Sequence, residues 1–303
     1  MDIIKETYEK IKNMEVRGAG RIARAAANAL KEYAETIMHL DDEEFKKKIL
    51  EAGELLRSAR PTAVSLPNAV KYVLNGLKDE NPKESVIKKA EEFIISSKNA
   101  TKNIGKIGAK RIRDGYTILT HCNSEAAIEV IKTAYHEGKD IKVFCTETRP
   151  RNQGYLTAKA LCDEGIDVTL IVDSAVRYFI KEVDIVVVGA DAITANGCLV
   201  NKIGTSQIAL IAHEARIPFL TAAETYKFHP KTIVGELIEI EERNPEEVVE
   251  FEGKYKKIKI RNPAFDVTPS QYIDAIITEI GLIPPQGAWY IIEKYFGWIE
   301  HEQ

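Results

Sequence analysis

The sequence predicts an α/β protein in two parts: an N-terminal helical domain over residues 1–108, followed by a doubly wound parallel sheet over residues 109–303. Two observations predict it. Up to about residue 100, apolar side chains recur at helical spacing among charged ones. From about residue 113, short runs that are apolar on both faces alternate with helical stretches. That βαβαβ texture is the pattern of parallel strands covered by helices on both sides.

Taken in order, "MDIIKETYEKIKNMEV" is charged and amphipathic and reads as helix. "RIARAAANALKEYAETIMHL" is Ala-rich with the same period. "DDEEFKKKILEAGELLRSA" places acids in its first turn, with Asp41 or Asp42 as the N-cap. "ARPTAVSLPNAV" carries two prolines, so it is a loop or a helix start, and "NPKESVIKKAEEFIISSK" begins a further helix near Asn81-Pro82. Gly105, Gly108 and Gly115 loosen the chain, which puts the domain boundary near Gly105–Gly115. Five strands follow: "YTILTH", "IKVFCT", "VTLIV", "DIVVVGA" and "IPFLTA". The aromatic-rich C-terminal "AWYIIEKYFGWIEHEQ" suits core packing or a subunit interface.

Composition narrows the function classes. A hydrophobic fraction of 45% over 303 residues supports a substantial core. The formal charge of −4 argues against a general nucleic-acid binder, while leaving room for a local Arg/Lys cluster around an anionic ligand. Cys122, Cys145, Cys162 and Cys198 form no C-x-x-C pair, and the six histidines form no H-E-x-x-H, so no metal site is expected. Free thiols in a reducing cytosol are the simplest reading, which makes the expected location cytoplasmic. No long apolar h-region opens the chain, and no apolar run approaches the ~18 residues of a membrane span.

In an open parallel sheet, ligands bind outside the carboxyl ends of the strands. Here the five expected strands are followed by His121-Cys122-Asn123-Ser124, by Glu147-Thr148-Arg149-Pro150, by Asp173-Ser174, by Gly189-Ala190-Asp191, and by Glu224-Thr225-Tyr226-Lys227. Every edge supplies polar or ionisable groups. A cysteine near a strand end is often just a small hydrophobe. Cys122 can instead be a thiol at a helix N-terminus, where the dipole and free amides stabilise thiolate, with Asn123 and Ser124 as cap residues. The other three cysteines lack that context and are taken as packing residues. Asp191 either makes a turn or is a carboxyl group in a partly dry cleft, with a raised pKa and a proton to donate. Arg149, Asn201, Lys202 and Lys227 are separately ordinary surface residues; as a set they suit a phosphorylated substrate.

"GAGRIA", Gly18 to Ala23, matches a dinucleotide fingerprint, but that motif needs a strand before it and the preceding stretch reads as helix. The same segment can present backbone amides to an anion at a helix start, with Arg17 and Arg60 adding charge.

The segments "RGAGRIARAAANAL", "RPTAVSLPNA", "LTHCNS", "TETRPRNQG", "GADAITANG", "NKIGTSQIAL", "AAETYKFHP" and "NPAFDVTP" occur in one order over nearly the whole chain. In this the chain resembles the superfamily of the initiation factor 2B alpha, beta and delta subunits and their related sugar-phosphate isomerases. Within it, the motifs are similar to those of the archaeal ribose-1,5-bisphosphate isomerases. The resemblance implies a C-terminal Rossmann-like catalytic domain, with the site between it and the helical domain. It implies Cys122 as proton acceptor and Asp191 as proton donor, with Arg17, Gly18, Ala19, Gly20, Arg60, Ser124, Asn201, Lys202 and Lys227 contacting substrate. It also implies an AMP-salvage role, activation by AMP and a homohexamer built from dimers; no cofactor is expected, since acid–base groups suffice for such an isomerisation. A methylthioribose-1-phosphate isomerase and a non-catalytic initiation factor 2B-like regulatory subunit are the alternatives.

Overall fold

The computed structural model describes residues 1–16, 18–60, 64–234 and 238–296. The chain divides into two compact units, Met1–Thr101 and Lys102–Gln303. The first is helical: α1 (Asp2–Lys12), α2 (Ala19–Thr36), α3 (Asp42–Ser58), α4 (Ser65–Leu74) and the start of α5 (Pro82–Ala109). Asp41 caps α3, its carboxylate accepting the Glu44 N–H at 2.9 Å. Pro82 opens α5, where its missing N–H costs nothing. On α2, Ala23, Ala26, Ala27, Leu30 and Ala34 are buried, and such small side chains let the helix pack closely against α4.

Gly105 and Gly108 lie inside α5, and reading them as a loosened linker is corrected. A Cβ on Gly105 would fall 2.7 Å from the Glu129 and Thr133 side chains, and one on Gly108 would fall 2.5 Å from Val130. They are glycines because the end of α5 is pressed against the next helix. The division between the units therefore falls within α5, ahead of both glycines.

The second unit continues with β1 (Thr117–Thr120), α6 (Glu125–His136), β2 (Lys142–Thr146), α7 (Gly154–Cys162), β3 (Asp167–Ile171), α8 (Val176–Phe179) and β4 (Ile185–Gly189). Then come β5 (Ala192–Ile193), β6 (Leu199–Lys202), α9 (Thr205–Ala215), β7 (Phe219–Ala222), β8 (Phe265–Thr268), β9 (Ala275–Thr278), β10 (Gly281–Ile283) and α10 (Ala288–Phe296). Seven strands form one sheet in the order β10-β9-β7-β4-β1-β2-β3, parallel except for the β9–β10 hairpin. All five strands expected from the sequence are in it.

Alternation along the strands covers both faces. Ile118, Val143, Ile185 and Val187 pack with Ala126, Ala127, Val130 and Ile131 of α6. Leu119, Phe144, Val186 and Val188 pack with α9 and α10 on the opposite side. β3 departs from the expected burial on both faces: as the edge strand it leaves Leu170 exposed. In α10, Ile291 and Ile292 are buried while Trp289 and Tyr290 are exposed; residues 297–303 of the aromatic-rich stretch lie outside the described residues.

A second, antiparallel sheet of β5, β6 and β8 stands beside the carboxyl end of β4. Its strands are two to four residues long, too short to leave a period in the sequence. Among the described residues, no helix is long and apolar enough to cross a membrane.

Candidate active site at the carboxyl ends of β1 and β4

The strand order sets the place. From β1 the chain winds outward through β2 and β3, then returns to lay β4 on the other side of β1. The connections leave these two strands in opposite directions and open a crevice between their carboxyl ends. Cys122 stands two residues beyond β1 and Asp191 two beyond β4, on neighbouring parallel strands about 4.8 Å apart. The two ends are in contact. A Cβ on Gly189 would fall 2.2 Å from Ser124 Oγ, so glycine is required at the end of β4.

Cys122 has a left-handed backbone, φ +66°, which costs a non-glycine residue roughly 1–2 kcal/mol and so needs fixing from outside. Its N–H donates to Thr148 Oγ1 at 2.9 Å and its carbonyl accepts from Thr157 Oγ1 at 2.7 Å. Asn123 Nδ2 also donates to Thr157 Oγ1, at 3.1 Å. The α6 cap is Ser124, whose Oγ accepts the Ala127 N–H at 3.3 Å. The thiol therefore lies two residues ahead of the cap, not in the first turn. Burial pushes it up to about 11. The Lys202 ammonium and the Asn123 N–H pull it down, and the Asp191 and Asp173 carboxylates push it further up. The expectation of a thiolate stabilised by the helix start is corrected, because desolvation outweighs the donors. The same balance places Asp191 and Lys202 within electrostatic reach of the Cys122 thiol. Asp191 is half-buried, and its N–H donates to the Val200 carbonyl at 3.0 Å.

The small sheet delivers the expected donors. Asn201 and Lys202 close β6, both buried. Asn201 Nδ2 donates to Thr205 Oγ1 at 3.0 Å, and that hydroxyl donates to the Lys202 carbonyl at 2.6 Å. Lys202 Nζ stands 5.0 Å from the centre of the Phe265 ring, an electrostatically favourable seat for a cation. Lys227, in the turn after β7, is buried against Glu224 with Nζ 2.7 Å from Oε2. Burial raises the Glu224 carboxyl, but Lys227, the Glu224 backbone N–H and the Tyr226 side chain together hold it below its ordinary range. Arg149 is exposed, and its guanidinium donates to the carbonyls of Pro150 at 3.3 Å and Val248 at 3.0 Å.

The remaining predicted residues belong to the N-terminal unit. Gly18, at φ +87°, caps α2, and Ala19 and Gly20 open that helix. α1 precedes them, so the strand that a dinucleotide fingerprint needs is not there. Arg60 is half-buried just after α3, and Arg17 lies outside the described residues.

Sequence reading set His121 and Asp173 at strand ends but gave neither a role, and it did not single out Asp266. His121 is buried beside Cys122 and bonds to Thr146 and Ile203. The Asp173 carboxylate accepts the N–H groups of Thr148 and Arg149, both at 2.8 Å, and so fixes the β2–α7 loop. Its place after β3 was the available signal. Asp266 in β8 accepts the Gly204 N–H at 2.8 Å and the Ser206 N–H at 3.1 Å, which fastens the head of α9. Burial pushes its carboxyl up to about 6. Of the cysteines taken as packing residues, Cys145 is buried with its thiol pushed up to about 12, and Cys198 is half-buried. Cys162 is corrected: it ends α7 on the exposed face. Among the described residues, no group of three or more His, Cys, Asp or Glu could hold a metal ion.

Residues 15–285 match the initiation factor 2 subunit family. The chain belongs to that family. A curated relative, ribose 1,5-bisphosphate isomerase of Methanocaldococcus jannaschii, is 84% identical over 300 residues, covering 99% of this chain and 97% of its own. Among solved structures, the translation initiation factor eIF-2B of Pyrococcus horikoshii OT3 superposes with a TM-score of 0.81 at 35% identity, covering 93% of this chain and 97% of that one. The 5-methylthioribose 1-phosphate isomerase of the same organism gives a TM-score of 0.78 at 33% identity, covering 97% of this chain and 87% of that one.

Proposed function

We propose that this family member is an aldose–ketose isomerase that converts ribose 1,5-bisphosphate to ribulose 1,5-bisphosphate, with Cys122 as the base and Asp191 as the acid. The observation that carries the reading is the thiol and carboxyl group at neighbouring strand ends, with the Cys122 thiol sensing both the Asp191 and the Lys202 charges. The name borne by the 84% identical relative supports the substrate.

The 1-phosphate blocks the anomeric oxygen, so the ring must open before isomerisation. Asp191 gives a proton to the ring oxygen as its bond to C1 breaks. Cys122 takes the proton from C2, leaving an enol phosphate. Returning that proton to C1, while Asp191 takes the proton of the C2 hydroxyl, gives the ketose and restores both groups. General acid–base steps of this kind contribute about 10²–10⁴-fold each. A half-buried thiol and carboxylate, with buried Asn201 and Lys202, suit chemistry kept from bulk water. Arg17, Gly18, Ala19, Gly20, Arg60, Ser124, Arg149, Asn201, Lys202 and Lys227 are the proposed substrate contacts. No cofactor is required. AMP is the proposed activator within an AMP-salvage role, and a cytoplasmic homohexamer built from dimers the proposed assembly.

A second route draws on the thiol. With its pKa raised to about 11, roughly one molecule in 10⁴ carries thiolate at neutral pH. A hydride shift from C2 to C1 would need no thiolate. Turnover in D₂O tests for the proton route: deuterium at C1 of the product requires it, whereas an unlabelled product is given both by the shift and by return of the same proton.

The test of function is an assay of the purified protein on ribose 1,5-bisphosphate and on methylthioribose 1-phosphate, with and without AMP. Turnover of the bisphosphate, raised by AMP, is expected. Turnover of the thio sugar alone would make the protein a methylthioribose-1-phosphate isomerase. No turnover of either, with retention of initiation-factor subunits in a pull-down, would make it a regulatory subunit.

A further inference from the structure

The polar groups beneath Cys122 form one connected chain. The Ile203 carbonyl can only accept, so the His121 Nε2 that lies 2.9 Å away carries the proton. Burial lowers the His121 pKa, with Lys202 acting in the same direction and the Ile203 carbonyl and Asp173 opposing, so the ring is neutral. Nδ1 is then an acceptor, and the Thr146 hydroxyl, 2.6 Å away, donates to it. The Thr148 hydroxyl has three acceptors in reach, Thr146 Oγ1 and the Thr146 carbonyl at 3.3 Å and His121 Nδ1 at 3.5 Å. Thr148 Oγ1 in turn accepts the Cys122 N–H at 2.9 Å. With the Thr148 hydroxyl donating to Thr146 Oγ1, the donors run one way, from the Cys122 amide through Thr148, Thr146 and His121 to the Ile203 carbonyl.

The two ends of this chain matter. One holds the left-handed backbone of Cys122. The other holds the residue next to Lys202, the cation that lowers the Cys122 thiol. Between them, His121, Thr146 and Thr148 are all buried, so each bond forms out of competition with water. Gly204, at φ +101°, lies against the His121 ring: a Cβ there would fall 3.2 Å from Cε1 and Nε2. The loop after β6 is thus seated on the imidazole by both a hydrogen bond and close packing.

We propose that His121 is a positioning residue that locks the Lys202–Gly204 loop to the Cys122 strand end, fixing the separation of ammonium and thiol. It does not touch the substrate. The effect on turnover rests on the isomerase reading; the effect on the thiol does not.

The test uses the pH profile of iodoacetamide alkylation of Cys122 in the full chain, read on its peptide by mass spectrometry. Burial sets this profile first, and the groups that adjust it are Lys202, the Asn123 N–H, Asp191 and Asp173. His121→Gln keeps a donor for the Ile203 carbonyl; His121→Asn keeps an acceptor for Thr146 and loses the bond to Ile203. For His121→Asn, a midpoint about one pH unit above wild type is expected, equivalent to tenfold less thiolate. Its kcat on ribose 1,5-bisphosphate should fall at least tenfold, with KM within threefold. His121→Gln should restore both to within threefold. A folded His121→Asn with a wild-type alkylation profile would overturn the proposal. If that variant does not fold, Thr148→Val cuts the chain at its other end, and an unchanged alkylation profile there overturns it equally. If wild type shows no turnover at all, the isomerase reading fails, and the alkylation profiles alone decide the role of His121.

Discussion

Replacing Lys227 with methionine tests the buried charge pair at the end of β7. Lys227 and Glu224 leave 6% and 2% of their side chains exposed, with 2.7 Å between Nζ and Oε2. Removing the ammonium strands a carboxylate out of water. Glu279 stands close enough that the Glu224 charge helps to raise its pKa, so a second acid adds to the penalty. Breaking such a pair on one side costs about 3–5 kcal/mol. At roughly 2–4 °C per kcal/mol for a unit of this size, Tm should fall by about 6–20 °C. Adding Glu224→Gln to Lys227→Met should recover most of the loss, because the stranded charge is then gone.

The pH dependence carries a sign. In wild type the folded Glu224 pKa is depressed, so its stabilising contribution is present above the ordinary glutamate range and is lost as pH falls through the folded value. In Lys227→Met, burial acts without the lysine and the folded pKa rises. Its penalty is then relieved as pH falls from 7 toward 5, and the gap to wild type narrows. Thermal unfolding of wild type, both single variants and the double variant across that range gives the answer. A Lys227→Met protein within about 1 kcal/mol of wild type at pH 7, or a gap that does not change with pH, would refute the reasoning.

Gly154→Ala should be severe, since its Cβ would fall 1.7 Å from the Thr146 carbonyl oxygen, which is backbone and has nowhere to go. A loss of more than about 3 kcal/mol in denaturant unfolding is expected. Asp266→Asn should remove a pH slope. With its folded pKa raised to about 6 from 3.8, this group's contribution is fully present below the unfolded value and is lost as pH rises through 6, by at most about 3 kcal/mol. Part of that loss has already occurred at pH 5, so urea unfolding at pH 5 and 7.5 should differ by about 1.4 kcal/mol from this group in wild type and by less in the variant. His121, whose pKa is lowered, works in the opposite sense. Unfolding protonates it as pH drops below its ordinary value of 6.5, so wild type should lose stability there and His121→Gln should lose less.

The parallel sheet was legible because its central strands are buried on both faces, and a run such as "DIVVVGA" has no other comfortable home. Cys122 and Asp191 followed from that, since the strand ends of a doubly wound sheet are where side chains converge. What stayed hidden depends on distance in sequence. The sheet of β5, β6 and β8 joins residues more than sixty positions apart through strands of two to four residues. Asp266 gains its role only when β8 lies beside β6. The direction of the shift at Cys122 was misread for a related reason. The cap residues are visible in the sequence, whereas the desolvation that outweighs them comes from the folded surroundings. Gly105 and Gly108 misled as a linker because a glycine needed for close packing and one needed for flexibility look identical in sequence.

The central claim is that a thiol and a carboxyl group at adjoining strand ends work as one acid–base pair. Turnover of ribose 1,5-bisphosphate by wild type, Cys122→Ser, Asp191→Asn and the double variant, followed by NMR of the product, tests it most directly. Each single variant should lose at least about 10²-fold in kcat, with KM changed only a few-fold. The double variant should be little worse than either single one, as expected for groups that act as a unit. A single variant with near-normal kcat would contradict the account.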